Sequence, residues 1–143
     1  MSITIYHNPN CETSRNVLAL IRNSGVEPLV IEYLKTPLNR TQLMALIGEL
    51  AVPVRDIMRR KGTPYDALKL DDASVTDDDL IAAIVLHPIL MNRPVVATRL
   101  GTRLCRPSEA VLSLLSNPQR APISKENGEV VVAHAQFNAK PAL

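Results

Sequence analysis

The stretch "SITIYHNPNCETSRNVLALIRNSGVEPLVIEYL", residues 2–34, decides the fold. Ser2 to Tyr6 alternates polar with β-branched or aromatic residues, the period of a short strand. Asn8-Pro9-Asn10 then turns the chain. From Thr13 or Ser14, either a good N-cap, the apolar residues Val17, Leu18, Leu20 and Ile21 recur at helical spacing until Asn23-Ser24-Gly25 supplies a stop. Leu29 to Leu34 follows as a second strand, which makes β-α-β. Parallel strands joined by one helix cross over right-handed, and open α/β sheets place ligands on loops at the carboxyl ends of such strands. Cys11 sits on such a loop, so the question is whether its thiol packs or reacts.

Downstream the pattern changes. Leu43, Met44, Leu46 and Ile47 fit one helix; Pro53 opens another carrying Val54, Ile57 and Met58, closed by Lys61-Gly62. A third starts at Thr76, with Asp79 three residues on in a variant capping box and Leu80, Ile81, Ile84 and Val85 as its apolar face. After His87-Pro88, the runs Pro94–Thr98 and Thr102–Arg106 around a Gly101 turn predict an antiparallel hairpin, and Pro107 opens a last helix through Leu115. Beyond residue 115 weak periodicity predicts a loosely attached tail over 116–143, in which Glu129 to His134 can add a short element. The expected architecture is α/β: one domain over 1–143, a thioredoxin-like mixed sheet interrupted by a helical insertion over 38–91.

The 143-residue length suits a single core, and a formal net charge of +2 is too small to announce nucleic acid or a membrane surface as partner. The first residues lack the charged and long apolar regions of a secretory signal, and no apolar run approaches a membrane span, so the expected location is cytoplasmic. Two cysteines, Cys11 and Cys105, without Cys-x-x-Cys or His-x-x-x-His companions, give little support to a disulfide scaffold or a metal site. Eleven of the 16 cationic residues are Arg, whose planar fork suits bidentate recognition of oxyanions.

A thiol at a helix N-terminus faces unpaired N–H groups and the positive end of the helix dipole, both of which favour thiolate. His7, at the end of the first strand, could approach Cys11 across the turn, where an imidazolium would lower the thiol pKa further. Ser14, in a Cys-x-x-Ser arrangement, could donate its hydroxyl to the thiolate or simply cap the helix. Arg15 offers a smaller contribution to the local field, or none beyond solvation. Arg93 and Arg106, each before a proline at an element junction, and Arg59, closing an insertion helix, are surface charges one by one; brought together around a thiolate they would hold a tetrahedral dianion. Cys105 alternates with cationic neighbours and should face inward as packing. His87 at a helix end complements the dipole, and His134 carries no signal.

The segments "ITIYHNPNCETSRN", "VRDIMRRKGTPY", "HPILMNRPVV" and "GTRLCRPSE", in this order, resemble the glutaredoxin-dependent arsenate reductases, a likeness running from residue 2 to about residue 115. The resemblance implies a thioredoxin-like fold with a helical insertion, Cys11 as nucleophile, His7 as the group that lowers its pKa and Ser14 as a hydrogen-bond partner of the thiolate. It implies that Arg59, Arg93 and Arg106 grip the oxyanion and that the Arg93–Pro94 bond is cis. It also implies glutathione as co-substrate, glutaredoxin as partner, and no metal or bound cofactor. Glu12 departs from the family, whose best-known members carry glycine there; its carboxylate would oppose an incoming dianion unless it points to solvent or pairs with Arg15.

A rival from the binding class is the redox-responsive transcriptional regulator of the same fold, which grips RNA polymerase; those members carry a second cysteine where this chain has Ser14. A monothiol glutaredoxin-like transferase would share Cys-x-x-Ser but has no use for the insertion arginines. The phosphatase-like arsenate reductases hold their oxyanion in a Cys-x5-Arg loop, whereas Arg15 comes four positions after Cys11.

Overall fold

The computed structural model describes residues 2–133. Four strands, β1 (Thr4–His7), β2 (Leu29–Glu32), β3 (Val95–Thr98) and β4 (Gly101–Leu104), form one mixed sheet in the order β2-β1-β3-β4. β1 and β2 are parallel, joined by α1 (Glu12–Asn23); β1–β3 and β3–β4 are antiparallel. Between β2 and β3 lie α2 (Arg40–Leu50), a 3-10 turn at Val54–Ile57, α3 (Asp77–Leu86) and a second 3-10 turn at Pro88–Leu90. This mixed α/β architecture is the thioredoxin-like one expected.

The alternation of strand side chains splits the core in two, because neighbouring residues point to opposite faces of a sheet. Ile3, Ile5, Val96 and Cys105 bury one face against Val17, Leu20 and Ile21 of α1 and against Val111 and Leu114. Val95 and the half-buried Tyr6 and Ile31 face the other side, which Leu43, Leu46 and Leu50 of α2 and Leu80, Ile81 and Ile84 of α3 cover. Each such fully buried Leu or Ile contributes about 1.5–3 kcal/mol relative to exposure, so both faces are held down without a large loop network. α2 and α3 each start with a capping box, Asn39 with Gln42 and Thr76 with Asp79.

Several expectations shift. α1 begins at Glu12, with Cys11 itself as N-cap residue; neither Thr13 nor Ser14 caps it. The helix expected after Pro53 is a single 3-10 turn, since the backbone beyond it turns extended and pairs with the chain entering β3: Met58 bridges Met91, Arg59 N–H donates to Leu90 O at 2.7 Å and Asn92 N–H to Ile57 O at 2.8 Å. The last helix is 3-10, Ser108–Leu114. The hairpin forms where expected, with Arg99-Leu100 rather than Gly101 at its tip; Gly101 is the first residue of β4.

Residues 116–133 are not loosely attached. β5 (Ile123–Ser124) and β6 (Val130–Val132) pair as a two-stranded hairpin, and the segment is hydrogen-bonded along α1: the Gln119 amide donates to the Leu20 carbonyl in the helix's last turn, and the Glu126 N–H donates to the Asn16 side chain. The remainder of the tail, with His134, lies outside the described residues.

Candidate active site

The register of the sheet assembles the site. Tyr6 pairs with Val95, which sets the carboxyl end of β1 beside the Arg93–Pro94 entry to β3; Val95 pairs with Leu104, which brings Arg106 to the same end. Both the Arg93–Pro94 and Arg106–Pro107 peptide bonds are cis; the first was expected, the second was not. Arg106 Nη1 donates to Arg93 O at 2.9 Å and lies 3.7 Å from Cys11 Sγ. Arg59 approaches from the insertion, tied by the Arg59 N–H bond to Leu90 O and by Nε to Lys61 O at 3.1 Å. Burial, followed by the positive charges of Arg93 and Arg106, pushes the Arg59 guanidinium below its ordinary value, and Cys11 pulls it back up. Three arginines separated by up to 47 positions in sequence therefore share one field around Cys11.

Cys11 is 8% exposed. Burial pushes its thiol up, but the Ser14 N–H and the Arg93 and Arg106 guanidiniums outweigh that and leave it below its ordinary value. The loop ahead of it is closed by Cys11 N–H donating to Asn8 O at 3.1 Å and Asn10 N–H to Asn8 Oδ1 at 2.9 Å. Cys105, in contrast, is fully buried in the apolar cluster, and burial pushes its thiol up to about 12. It is a packing residue, as its alternation suggested.

The hydrogen-bond network sets His7 and Ser14 against each other. Ser14 Oγ accepts from Asn8 N–H at 3.1 Å and lies 2.6 Å from His7 Nδ1, so the hydroxyl is engaged at the end of β1, while the backbone N–H of Ser14 serves the thiolate. Burial lowers the His7 pKa; Glu32 opposes this, while Arg22 and Arg15 add to it. The contact His7 makes is with Ser14, and it reaches Cys11 through that residue.

Arg15 is committed elsewhere. Its Nε and Nη2 form a fork on the Glu126 carboxylate at 2.8 and 2.9 Å, and Nη1 donates to Pro9 O at 2.9 Å. Glu12 is exposed, so its carboxylate escapes to solvent, the first of the two accommodations expected. His87 is the C-cap residue of α3. Among the described residues no three His, Cys, Asp or Glu side chains come together as metal ligands.

The feature with the clearest chemical meaning is Arg93. Its Nε and Nη1 are buried and have no hydrogen-bond partner. Buried N–H groups are nearly always paired, and leaving one unpaired is costly, more so when it is charged. Two such donors beside a stabilised thiolate describe a seat for an oxyanion whose central atom the sulfur would attack.

Sequence reading missed Tyr33, Asn8, Asn16 and Glu126. Tyr33 is 1% exposed and donates to Met91 O at 2.8 Å; burial pushes its hydroxyl up to about 12, opposed by the nearby Arg93. It thereby holds the lead-in to β3 that carries Arg93. Asn8, inside a turn motif, was the one whose local pattern could have revealed it.

Three comparisons agree with this geometry. The chain is 54% identical over 132 residues to the arsenate reductase of Rhizobium meliloti (strain 1021), covering 92% of this chain and 94% of the relative. It is 54% identical over 134 residues to the arsenate reductase of Escherichia coli (strain K12), covering 94% and 95%. The solved arsenate reductase from Vibrio cholerae superposes with a TM-score of 0.77 at 44% identity, over 80% of this chain and 98% of that one. The match to the ArsC family runs over residues 6–114, which takes in the end of β1, the Cys11 loop, all three site arginines and both cis prolines, and the chain belongs to that family.

Proposed function

We propose that the protein reduces arsenate to arsenite with the Cys11 thiolate as nucleophile and with glutathione and glutaredoxin supplying the electrons, as part of arsenic detoxification in the cytoplasm. The observation that carries this reading is the pair of buried, unpartnered Arg93 donors beside a thiol stabilised in its ionised form. Relatives at 54% identity named arsenate reductase support the substrate.

Arsenate, a tetrahedral oxyanion, would take its charge-assisted bonds from Arg93, with Arg106 and Arg59 completing the positive wall. The Cys11 thiolate attacks arsenic(V) and one oxygen leaves as water, forming a sulfur–arsenic bond. A glutathione thiolate then attacks the Cys11 sulfur: the sulfur–sulfur bond forms, the sulfur–arsenic bond breaks, and its electron pair reduces arsenic to the trivalent state. Arsenite leaves in that step; a glutaredoxin thiolate then attacks the glutathione sulfur of the mixed disulfide, forming a glutaredoxin–glutathione disulfide as the Cys11–glutathione bond breaks and the Cys11 thiolate is restored. His7 and Ser14 keep the first turn of α1 oriented so that the Ser14 N–H faces sulfur.

The test is NADPH consumption by the purified protein with arsenate, glutathione, glutaredoxin and glutathione reductase, each component left out in turn. Turnover that requires arsenate, glutathione and glutaredoxin together is expected. A folded protein with a reactive thiol and no arsenate-dependent turnover would overturn the substrate assignment.

A further inference from the structure

The segment after the last 3-10 helix runs back along α1 and contacts both of its ends. At the carboxyl end, Gln119 Nε2 donates to Leu20 O at 2.8 Å, Arg120 N–H donates to Asn23 O at 2.8 Å, and Asn23 Nδ2 donates to Ala121 O at 2.9 Å. The Arg120 guanidinium lies over Gly25, where φ is +85° and a Cβ would fall 2.0 Å from the guanidinium carbon, so glycine alone leaves it room. At the amino end, Glu126 N–H donates to Asn16 Oδ1 at 3.0 Å, and the Glu126 carboxylate holds the Arg15 fork. Lys125 Nζ, paired with Glu109 at 2.6 Å, pins the hairpin to the neighbouring 3-10 helix.

The Arg15 fork has one N–H direction left over, and it goes to Pro9 O, two residues before Cys11. The loop's other bonds, Cys11 N–H and Asn10 N–H to Asn8, are made within the loop itself. We propose that Glu126 is a positioning residue for Cys11: by fixing the Arg15 guanidinium it lets that side chain hold the Pro9 carbonyl, and so keeps the sulfur in register with the Ser14 N–H and the site arginines. The inference rests on Cys11 being the reactive thiol. It also makes Arg15 a strut rather than a fourth oxyanion ligand, since two of its donors are already on a carboxylate. The pair is half-exposed and adds little to global stability; its effect lies in geometry, where a displacement of about 1 Å is enough to matter.

The groups facing Cys11 are Arg93 and Arg106 at the ends of β3 and β4, Arg59 from the insertion, Tyr33 after β2, and Ser14 and Arg15 on α1. None of these is altered in Glu126→Ala. Deleting a nearby carboxylate would by charge alone move a thiol pKa down, so an upward shift reports displaced geometry. The experiment is the pH profile of Cys11 alkylation by iodoacetamide in the full chain. Glu126→Ala is expected to move the profile up by about half to one pH unit, or about 3- to 10-fold less thiolate reactivity below the inflection; Arg15→Ala, which also removes a positive charge coupled to Cys11, should move it at least as far. The double variant should be no worse than Arg15→Ala alone, because both break the same chain of contacts. Glu126→Asp should recover most of the reactivity, and Lys125→Ala, which loosens the hairpin without touching Arg15, should leave the profile in place. A profile that stays or moves down in Glu126→Ala, or one that moves equally in Lys125→Ala, would overturn the proposal. Should Glu126→Ala fail to fold, Glu126→Gln carries the same expectation at reduced size. No arsenate enters this assay, so absence of arsenate turnover would sink the substrate assignment alone, and an unmoved profile with normal turnover would sink this inference alone.

Discussion

Arg93→Ala should pull activity and stability in different directions, because the side chain keeps two buried donors unpaired in the free protein. An unsatisfied buried donor costs about 1–3 kcal/mol, so removing Nε and Nη1 relieves the fold of that strain while forfeiting the packing of the alkyl stem. The net expectation is a thermal midpoint that is unchanged or raised by a few degrees, since 1 kcal/mol corresponds to about 2–4 °C at this size. The Arg106 Nη1 bond to the Arg93 carbonyl is a backbone contact and survives the substitution. Catalysis should suffer on two counts. One donor to a developing oxyanion is worth about 10²–10³ in rate, and the Cys11 thiol loses one of the guanidiniums that hold its pKa down. Steady-state kcat/KM for arsenate in the glutaredoxin-coupled assay, measured alongside calorimetry, separates the two quantities. A variant within about threefold of wild type in kcat/KM, or one that melts many degrees lower, would show that Arg93 is a structural cation and refute the oxyanion seat.

Other expectations follow from the same geometry. Cys11→Ser should abolish turnover with the circular dichroism spectrum intact, because a hydroxyl at that position is not ionised at neutral pH; residual turnover near wild type would remove Cys11 from its role. Cys11, whose folded pKa lies below its ordinary value, contributes stability that is complete above the ordinary thiol pKa and is lost as pH falls from there through the folded pKa. Cys105, pushed up to about 12, has the opposite sign: its contribution is complete below the ordinary thiol pKa and is lost as pH rises toward 12. Alkylation followed by peptide mapping should therefore label Cys11 alone at neutral pH, and Cys105→Ala should keep arsenate turnover. Ser14→Ala leaves Asn8 N–H and His7 Nδ1 buried without their shared partner and should lower stability by about 1–3 kcal/mol in denaturant titration. It leaves the Ser14 N–H in place, so the Cys11 alkylation profile should move less than in Arg93→Ala.

What the sequence determined by itself was whatever short-range periodicity and turn chemistry control: the β-α-β unit, the Thr76–Asp79 capping box, the 94–106 hairpin and the placing of Cys11 between a strand end and a helix start. These depend on residues within a turn or two of one another, and a strand or an amphipathic helix shows its period in its own side chains. The arginines were legible as candidates because each sits at an element junction, but only the register of β1, β3 and β4 brings Arg93 and Arg106 to Cys11. The lowered pKa of His7 was beyond the sequence, since burial sets it, with Arg22 and Arg15 on α1 adding to it against Glu32. So was the change from α to 3-10 geometry after Pro53, decided by a bridge to Met91 across 33 positions. The strap along α1 was least legible of all: Glu126 meets Arg15 across a separation of 111 residues, and nothing in the local pattern of either announces a partner that only the folded chain supplies.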